Sequence, residues 1–356
     1  MPASTTANTI IKNFKQPLTQ SLLQSLKPYV KTPLVYSPRL SQQAKCHIRL
    51  KQEFTQPSGS YKLRGLSHLV AKRLQSLSPA QLAQKPVRVV AASGGNAGNA
   101  VALAASFYNV DATVVVPTCT TESMKSKISG NGAQLITAGN TIGEADEYLQ
   151  AVLIPSLEED YTVVYCHPYN IPEIWEGHSS MVDEIVAQLR SEGSLNRLKG
   201  VVCSVGGGGL YNGLVQGLKK HGLTHVPIVT LETDSVPTFQ AAIDRGEPVT
   251  LSSFNSIATS LACPYITQQS LDNYHNHETF NHLVSDVQAA NACLRFCVDY
   301  NIIVEPACGV ALCSVYEDII HKSLRLSEDD IVVVVVCGGS ATSMQDLVKY
   351  QQMYSS

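Results

Sequence analysis

The sequence predicts an α/β fold, and three observations lead to this prediction. Short runs of apolar and β-branched residues recur along the chain, which is typical of parallel strands covered by helices on both faces. Longer stretches between these runs carry apolar residues at helical spacing. Glycine-rich loops follow three of the runs, at the strand ends where open parallel sheets bind their ligands.

The individual elements can be assigned in chain order. Six runs are predicted to be buried strands: residues 87–90, 112–116, 161–165, 201–205, 226–231 and 331–336. Three stretches are predicted to be crossover helices: residues 99–107, 174–190 and 286–300. Residues 268–281 are poor in apolar side chains and are predicted to form an exposed loop or short helix. His275 and His277 lack a third ligand nearby, so we expect them to be solvated rather than bound to metal.

Length and composition indicate a globular protein. At ~150 residues per domain, 356 residues predict two domains or one large one. Charged residues make up only 15%, against about 25% in an average soluble domain, and hydrophobic residues make up 44%. The net charge of −3 argues against nucleic acid as a partner. The longest apolar run, residues 331–337, is far shorter than the ~20 residues of a membrane span, so no membrane partner is expected.

Cysteines and the N-terminal charge bear on the compartment. The ten cysteines are scattered without a CxxC spacing, so we expect reduced thiols. Residues 1–52 carry eight Lys and Arg residues and no acidic residue, and spaced apolar residues give this segment some features of a mitochondrial transit peptide. All basic residues before Arg39 are lysines, which argues against that interpretation, and no secretory signal is present. We expect a cytoplasmic protein, with the mitochondrion as the alternative.

The four consecutive glycines at 206–209 lie between a predicted strand and a stretch suited to a helix. Glycines let successive N–H groups converge on an anion, and the helix N-terminus adds positive charge, so the loop is a candidate phosphate site. The alternative is a flexible turn. The dinucleotide pattern GxGxxG fails, because Tyr211 or Asn212 stands where its third glycine belongs. The P-loop is excluded because the chain has no Gly-Lys-Ser/Thr.

Two further glycine-containing loops follow predicted strands. The first, Ser93-Gly94-Gly95-Asn96-Ala97, offers N–H groups, a hydroxyl and an amide, which suit a small carboxylate. The second, Cys337-Gly-Gly-Ser340, ends the most apolar strand of the chain. Together with residues 206–209, these loops predict a ligand site at the carboxyl edge of a parallel sheet.

A lysine segment connects these loops to a known family. Gln56-Pro-Ser-Gly-Ser-Tyr-Lys-Leu-Arg-Gly65 resembles the motif of the fold-type II pyridoxal-phosphate enzymes, in which the lysine after Ser-Phe/Tyr holds the cofactor as a Schiff base. The three loops and Glu305-Pro-Ala-Cys-Gly309 follow in the order that this superfamily has. The resemblance implies the tryptophan synthase β-like fold, with two open twisted α/β domains. Its small domain would span residues 57–168, and residues 1–56 and 169–356 would form the large domain.

Within that superfamily the chain resembles the catabolic L-serine/L-threonine dehydratases, especially the fungal ones. Trp175-Glu-Gly-His178 and the segment 203–213 are similar to signatures of this branch. Cys337 is a further point of resemblance, since serine racemase and biosynthetic threonine deaminase have serine there. The resemblance implies β-elimination that gives pyruvate or 2-oxobutanoate plus ammonia, in amino-acid catabolism and gluconeogenesis. The alternatives are a serine racemase, another β-eliminating enzyme of this fold, or a binding protein without activity.

The resemblance also assigns roles to residues. Lys62 would carry pyridoxal 5′-phosphate and act as the catalytic base, and Tyr61 would lie against the pyridine ring. Asn96 would bind the phenolic oxygen of the ring, and Cys337 would face its nitrogen. The phosphate would be bound by Gly206, Gly207, Gly208, Gly209 and Leu210. The substrate carboxylate would be bound by Ser93, Gly94, Asn96 and Ala97.

A monovalent cation and a partner are implied in the same way. Potassium would be bound by Gly206, Glu232, Val236, Leu261 and Cys263. The chain departs from the family here, with Asp234-Ser235 where a glycine is common and Ala262-Cys263 where relatives read Gly after Ser-Leu. A homodimer with an amino acid as its small-molecule substrate is expected.

Overall fold

The computed structural model describes residues 19–252 and 255–354. The possible transit segment therefore lies largely outside the described residues. By its internal contacts the chain divides into a smaller unit, residues up to 30 with 62–168, and a larger unit, residues 31–61 with 169 onward. These boundaries differ from the predicted ones at two places, because residues 19–30 group with the smaller unit and residues 57–61 with the larger.

Ten strands and sixteen α-helices are present in the described part of the chain. The strands are β1 (Leu34–Tyr36), β2 (His47–Gln52), β3 (Val87–Ala92), β4 (Asp111–Val116), β5 (Gln134–Thr137), β6 (Thr162–Tyr165), β7 (Leu198–Ser204), β8 (Ile228–Thr233), β9 (Thr279–Val284) and β10 (Ile331–Val336). The helices are α1 (Gln20–Ser25), α2 (Pro38–Ala44), α3 (Lys62–Ser76), α4 (Pro79–Gln84), α5 (Asn96–Phe107), α6 (Glu122–Gly130), α7 (Ile142–Tyr148), α8 (Ile154–Leu157), α9 (Pro172–Ser191), α10 (Gly209–Lys220), α11 (Thr238–Arg245), α12 (Gln268–Asn276), α13 (Asp286–Tyr300), α14 (Pro306–Tyr316), α15 (Ile320–Ser323) and α16 (Met344–Tyr354).

The smaller unit is built on a four-stranded parallel sheet in the order β5-β4-β3-β6. Its two central strands, β3 and β4, are buried along most of their length, as the apolar runs predict. Helix α1 belongs to this unit because Leu23 is buried and Gln20 Nε2 donates to the Gln75 carbonyl oxygen at 3.0 Å. This contact explains why residues 19–30 do not group with the larger unit.

The larger unit is built on a six-stranded sheet in the order β1-β2-β10-β7-β8-β9. Every pairing is parallel except that of β1 with β2. Strand β10 and helix α14 are completely buried, so the centre of this unit is the most apolar part of the chain. The carboxyl ends of β7, β8 and β10 therefore lie at one edge of the sheet, each followed by a loop.

Of the two alternatives predicted for residues 268–281, the short helix is the one present, as α12. The last residues of this stretch begin the edge strand β9, which was not predicted. Strand β9 is only half-buried and contains polar residues, so its sequence lacks the apolar run that predicts a buried strand. Among the described residues no cluster of three or more His, Cys, Asp or Glu side chains could hold a metal ion.

Two expectations of the composition can be compared with the structure. All ten cysteines are free thiols, as predicted. No helix in residues 19–252 or 255–354 is both long enough and apolar enough to cross a bilayer.

Candidate active site

The loop Gly206–Gly209 joins the buried strand β7 to helix α10. Gly208 precedes the first residue of the helix and has a φ of 89°, in the left-handed region that favours glycine. In the described part of the chain, the N–H groups of Gly206, Gly207 and Gly208 donate to no protein acceptor. Donors of this kind at the start of a 12-residue helix suit a bound phosphate.

The glycines are also required because other residues fill the space around them. A Cβ on Gly207 would overlap the ring of Tyr169, and a Cβ on Gly208 would overlap the hydroxyl of Ser270. A Cβ on Gly206 would lie 2.8 Å from the carbonyl oxygen of Leu261. The loop is thus packed on three sides, and its backbone has little freedom to move.

Tyr61 and Cys337 lie together in the larger unit. The Tyr61 N–H donates to the Cys337 carbonyl oxygen at 3.1 Å, and the Gly339 N–H donates to the Gly59 carbonyl oxygen at 2.8 Å. These bonds pair the segment before Lys62 with the loop after β10. Burial, with a smaller contribution from Cys337, raises the pKa of Tyr61 well above its ordinary value, so the phenol stays neutral.

The Cys337 side chain is surrounded by thiol and hydroxyl groups. Its Sγ lies 3.1 Å from Sγ of Cys308 and 3.9 Å from Oγ of Ser204. Cys308 Sγ also accepts from the Gly338 N–H at 3.1 Å, and burial raises the pKa of its thiol. The end of β10 therefore carries a thiol, which is a weak hydrogen-bonding group.

Lys62 is the first residue of α3, in the smaller unit. Its Nζ donates to the Pro168 carbonyl oxygen at 2.9 Å. Next to Pro168, burial lowers the pKa of His167 to about 4, helped by the charge of Lys62 and opposed by Asp146. The imidazole is therefore neutral at pH 7 and adds no second positive charge beside the lysine.

The predicted substrate loop is also in the smaller unit, between β3 and α5. Ser93 Oγ accepts from the Gly95 N–H at 3.2 Å, and Ser93 N–H donates to the Val115 carbonyl oxygen at 3.0 Å. Asn96 and Ala97 form the first turn of α5, and both are buried. Gly94 lies against Thr120, whose buried hydroxyl has no hydrogen-bond partner among the described residues. The loop thus brings a hydroxyl, an amide and helix N–H groups to one place.

The residues assigned to a cation all belong to the larger unit. Glu232 is buried, and its carboxylate accepts from the Phe239 N–H at 2.9 Å, the Gln240 N–H at 2.7 Å and Asn281 Nδ2 at 3.0 Å. Burial nevertheless raises the pKa of Glu232 to about 7. Gly206 approaches Leu261 closely and also contacts Cys263.

Sequence reasoning missed residues that support the loops. Three of these residues belong to no sequence motif: Tyr169, Thr120 and Ser270. In the structure, each occupies the space that a Cβ on a loop glycine would need. Cys308 and His178 belong to the motifs Glu305–Gly309 and Trp175–His178, which do not by themselves indicate a role for either residue. The His178 ring lies 4.9 Å from that of Tyr61, between centroids.

Comparisons with known proteins show the family to which the chain belongs. The model of the family described as pyridoxal-phosphate dependent enzyme matches residues 26–338. The catabolic L-serine/threonine dehydratase of Saccharomyces cerevisiae is 40% identical over 327 residues, covering 90% of this chain and 89% of that protein. The human L-serine dehydratase/L-threonine deaminase is 36% identical over 324 residues, covering 90% of this chain and 93% of that protein.

A solved structure extends the likeness to three dimensions. The fungal L-serine ammonia-lyase of Rhizomucor miehei matches with a TM-score of 0.84 and 33% identity, covering 92% of this chain and all of that one, 100%. The predicted fold-type II architecture with two α/β units is confirmed.

Proposed function

The chain belongs to the pyridoxal-phosphate-dependent enzyme family, and from this premise we propose that it is an L-serine/L-threonine dehydratase. Its reaction would convert L-serine to pyruvate and ammonia, and L-threonine to 2-oxobutanoate and ammonia. The observation that carries the proposal is the end of β10, where Cys337 offers a thiol beside Cys308 and Ser204. Each of the two dehydratases named above covers 90% of this chain.

The residues present fit pyridoxal phosphate. The unengaged N–H groups of Gly206, Gly207 and Gly208 match a phosphate, and Lys62 supplies the amine that an aldehyde requires. When bound, the cofactor supplies an aldehyde that joins to amines and a ring that withdraws electrons from the substrate Cα. We assign the ring's surroundings to Tyr61, Asn96 and Cys337.

Lys62 would act as the base. A lysine can accept the Cα proton only while Nζ is neutral. The Pro168 carbonyl oxygen, 2.9 Å from Nζ, accepts a hydrogen bond and fixes the direction in which the amine points. His167 stays neutral beside it, so it neither repels a substrate ammonium group nor competes for the substrate carboxylate.

The loop of residues 93–97 would hold the substrate carboxylate. The Ser93 hydroxyl and the N–H groups at the start of α5 are donors of the kind that carboxylates accept. Since Ser93 Oγ already accepts from the Gly95 N–H, its own proton remains available for a carboxylate oxygen. Binding would thereby orient the Cα–H bond without any charged side chain from this loop.

Cys337 favours elimination over racemisation in this proposal. A carboxylate next to the ring nitrogen would keep that nitrogen protonated, whereas a thiol donates only weakly. Serine racemase is the second candidate function, and the thiol is the observation that argues against it.

We also propose a monovalent cation, with potassium as the ion, at Glu232. The buried carboxylate accepts from N–H donors, and among the described residues it has no positively charged partner; burial raises its pKa. A cation bound by Glu232 and by the carbonyl oxygens of Gly206, Val236, Leu261 and Cys263 would supply the positive charge. Val236 and Leu261 carbonyl oxygens already accept from Thr238 and Cys263 N–H groups, which leaves each a second lone pair.

Purified protein incubated with L-serine should produce pyruvate and ammonia, and Lys62→Ala should produce neither. Measuring D-serine in the same samples separates the dehydratase from the racemase. If wild-type protein binds pyridoxal phosphate but forms neither 2-oxo acid nor ammonia, the dehydratase proposal fails. Substantial D-serine would favour the racemase, and the absence of any product would favour a binding protein.

The assembly is proposed to be a homodimer. Helices α13 and α16 pack together and leave Val298, Met344, Val348 and Met353 exposed, with Val298 78% exposed. Exposed apolar side chains on neighbouring helices suit a contact with a second copy of the chain. Light scattering should give twice the mass of 38.4 kDa, and Val298→Lys with Val348→Glu should reduce it.

A cytoplasmic location is proposed because ten free thiols suit a reducing compartment. A reporter fused to residues 1–30 should stay in the cytoplasm; entry into mitochondria would contradict the proposal.

A further inference from the structure

A buried polar network lies directly beside the phosphate loop. Asn212, in the first turns of α10, donates from Nδ2 to Thr267 Oγ1 at 2.9 Å. Its Oδ1 accepts from Ser270 Oγ at 2.9 Å and from Asn273 Nδ2 at 3.0 Å. Thr267 Oγ1 and Ser270 Oγ are themselves 2.8 Å apart. Asn212, Thr267 and Ser270 are each no more than 2% exposed, so both sides of the Asn212 amide are bound inside the protein.

Residues of the network contact the loop at three points. The Thr267 N–H donates to the Gly207 carbonyl oxygen at 3.3 Å, and the Asn212 N–H makes the ordinary helical bond to the Gly208 carbonyl oxygen at 2.9 Å. The Ser270 hydroxyl occupies the space that a side chain on Gly208 would need. The two central peptide groups of the loop are therefore fixed through their carbonyl oxygens, which leaves their N–H groups directed elsewhere.

We propose that Asn212 is a positioning residue that, through Thr267 and Ser270, fixes the loop in the geometry that receives the cofactor phosphate. This inference rests on the proposed use of pyridoxal phosphate and deepens it. A loop ordered before binding loses less conformational freedom when the phosphate arrives. Fully satisfied buried networks are suited to this task, because removing one member takes a hydrogen bond from each of its partners.

The proposal predicts that the network supports binding of the phosphate rather than of the ring. Loosening the loop should lower the affinity for pyridoxal phosphate. Pyridoxal, which lacks the phosphate, should bind with almost unchanged affinity. A general loss of folding would lower the affinity for both ligands together. The ratio of the two dissociation constants is therefore the readout that a merely structural role would not change.

The chain contains a reporter for this measurement. Trp175 is its single tryptophan, and Nε1 donates to the carbonyl oxygen of Tyr169 at 2.7 Å. The Tyr169 ring packs on Gly207 of the loop. Fluorescence of Trp175 in apoprotein titrated with pyridoxal phosphate, and separately with pyridoxal, gives the two dissociation constants.

Asn212→Ala should raise the dissociation constant of pyridoxal phosphate roughly tenfold, since at least one buried hydrogen bond is lost, and that of pyridoxal less than about twofold. Thr267→Val should have a similar effect, and Thr267→Ser, which keeps the hydroxyl, should restore the wild-type ratio. Tyr211→Phe is the matched control. It removes a 2.7 Å hydrogen bond to Thr279 from the same helix without touching the network, and should leave the ratio unchanged.

The outcomes separate this inference from the function on which it rests. If wild-type protein binds pyridoxal phosphate no more tightly than pyridoxal, the phosphate loop itself has been wrongly assigned. If wild type prefers the phosphate but Asn212→Ala keeps the full preference, Asn212 is not a positioning residue. An equal loss of affinity for pyridoxal phosphate and pyridoxal in Asn212→Ala would also overturn the proposal. Should Asn212→Ala fail to fold, the Thr267→Val and Thr267→Ser pair decides the question by the same ratio.

Discussion

The two loops that follow β7 and β3 have similar sequences but are packed differently. Both connect a buried parallel strand to a helix through glycines. In the phosphate loop, Gly206, Gly207 and Gly208 each have protein atoms where a Cβ would stand. In the substrate loop this is true of Gly94, whereas Gly95 has no heavy atom within 4 Å of that position.

The difference matches the tasks proposed for the loops. A phosphate cradle that holds a resident cofactor gains affinity from rigidity, because little entropy is lost on binding. A loop that must admit and release a substrate in each turnover needs room to adapt. Glycine in the first loop is therefore demanded by packing and backbone conformation together, and in the second loop by packing at one position.

Of the substitutions that test the difference between the two loops, Gly208→Ala should have the largest effect on stability and on cofactor affinity. The substitution places a Cβ at a φ of 89° and against the Ser270 hydroxyl, so we expect a loss of about 2 kcal/mol or more in unfolding free energy and at least about a hundredfold in affinity for pyridoxal phosphate. Chemical denaturation and cofactor titration measure the two effects.

Gly246→Ala is the control for Gly208→Ala. Gly246 has a φ of 78° but open space around its Cβ position, so it carries the backbone cost alone, about 1–2 kcal/mol. If both variants lose the same stability and keep cofactor binding, the packing of the phosphate loop is unimportant.

Gly94→Ala tests the one tightly packed glycine of the substrate loop. Its Cβ would overlap the Thr120 hydroxyl, a flexible side-chain atom that can shift, so we expect about a tenfold loss of kcat/KM for serine. The double variant Gly94→Ala/Thr120→Ala should recover most of that loss, because the Thr120 hydroxyl makes no hydrogen bond within the described part of the chain and none is lost with it. Additive losses in the double variant would show that this contact does not set the position of Gly94.

The packing of these loops explains how far sequence reasoning could reach. The glycines, Lys62 and Cys337 are visible because they stand in local motifs and after strands with continuous apolar runs. Ser270 and Thr120 are distant in sequence from the loops that they contact, and each is a common residue type without a pattern. Strands β2 and β9 were not predicted for a related reason, since their polar residues interrupt the run of apolar residues that indicates a buried strand. Contacts between distant segments have no local signature.

His167 provides a pH test of the smaller unit, since the glycines of the phosphate loop carry no titratable side chain. With its pKa lowered to about 4 from 6.5, the folded protein binds fewer protons than the unfolded chain between these values. Stability due to this group therefore rises with pH across that window. Relative to His167→Gln, wild type should lose unfolding free energy as the pH falls from about 6.5 to 4. A constant difference would contradict the burial of the imidazole, and His225→Gln, at an exposed histidine, controls for removal of a histidine.

Gly95→Ala should have the smallest effect on stability, and it tests most directly whether the substrate loop is less tightly packed than the phosphate loop. The residue has a φ of −128°, which alanine adopts easily, and its Cβ would meet no protein atom within 4 Å. We expect a change in unfolding free energy within about 0.5 kcal/mol and an unchanged affinity for pyridoxal phosphate. Any effect should appear in KM for serine, because the open space beside Gly95 is where a carboxylate could approach the start of α5. A large loss of stability would show that the substrate loop is as tightly constrained as the phosphate loop, and the contrast between the two loops would then be wrong.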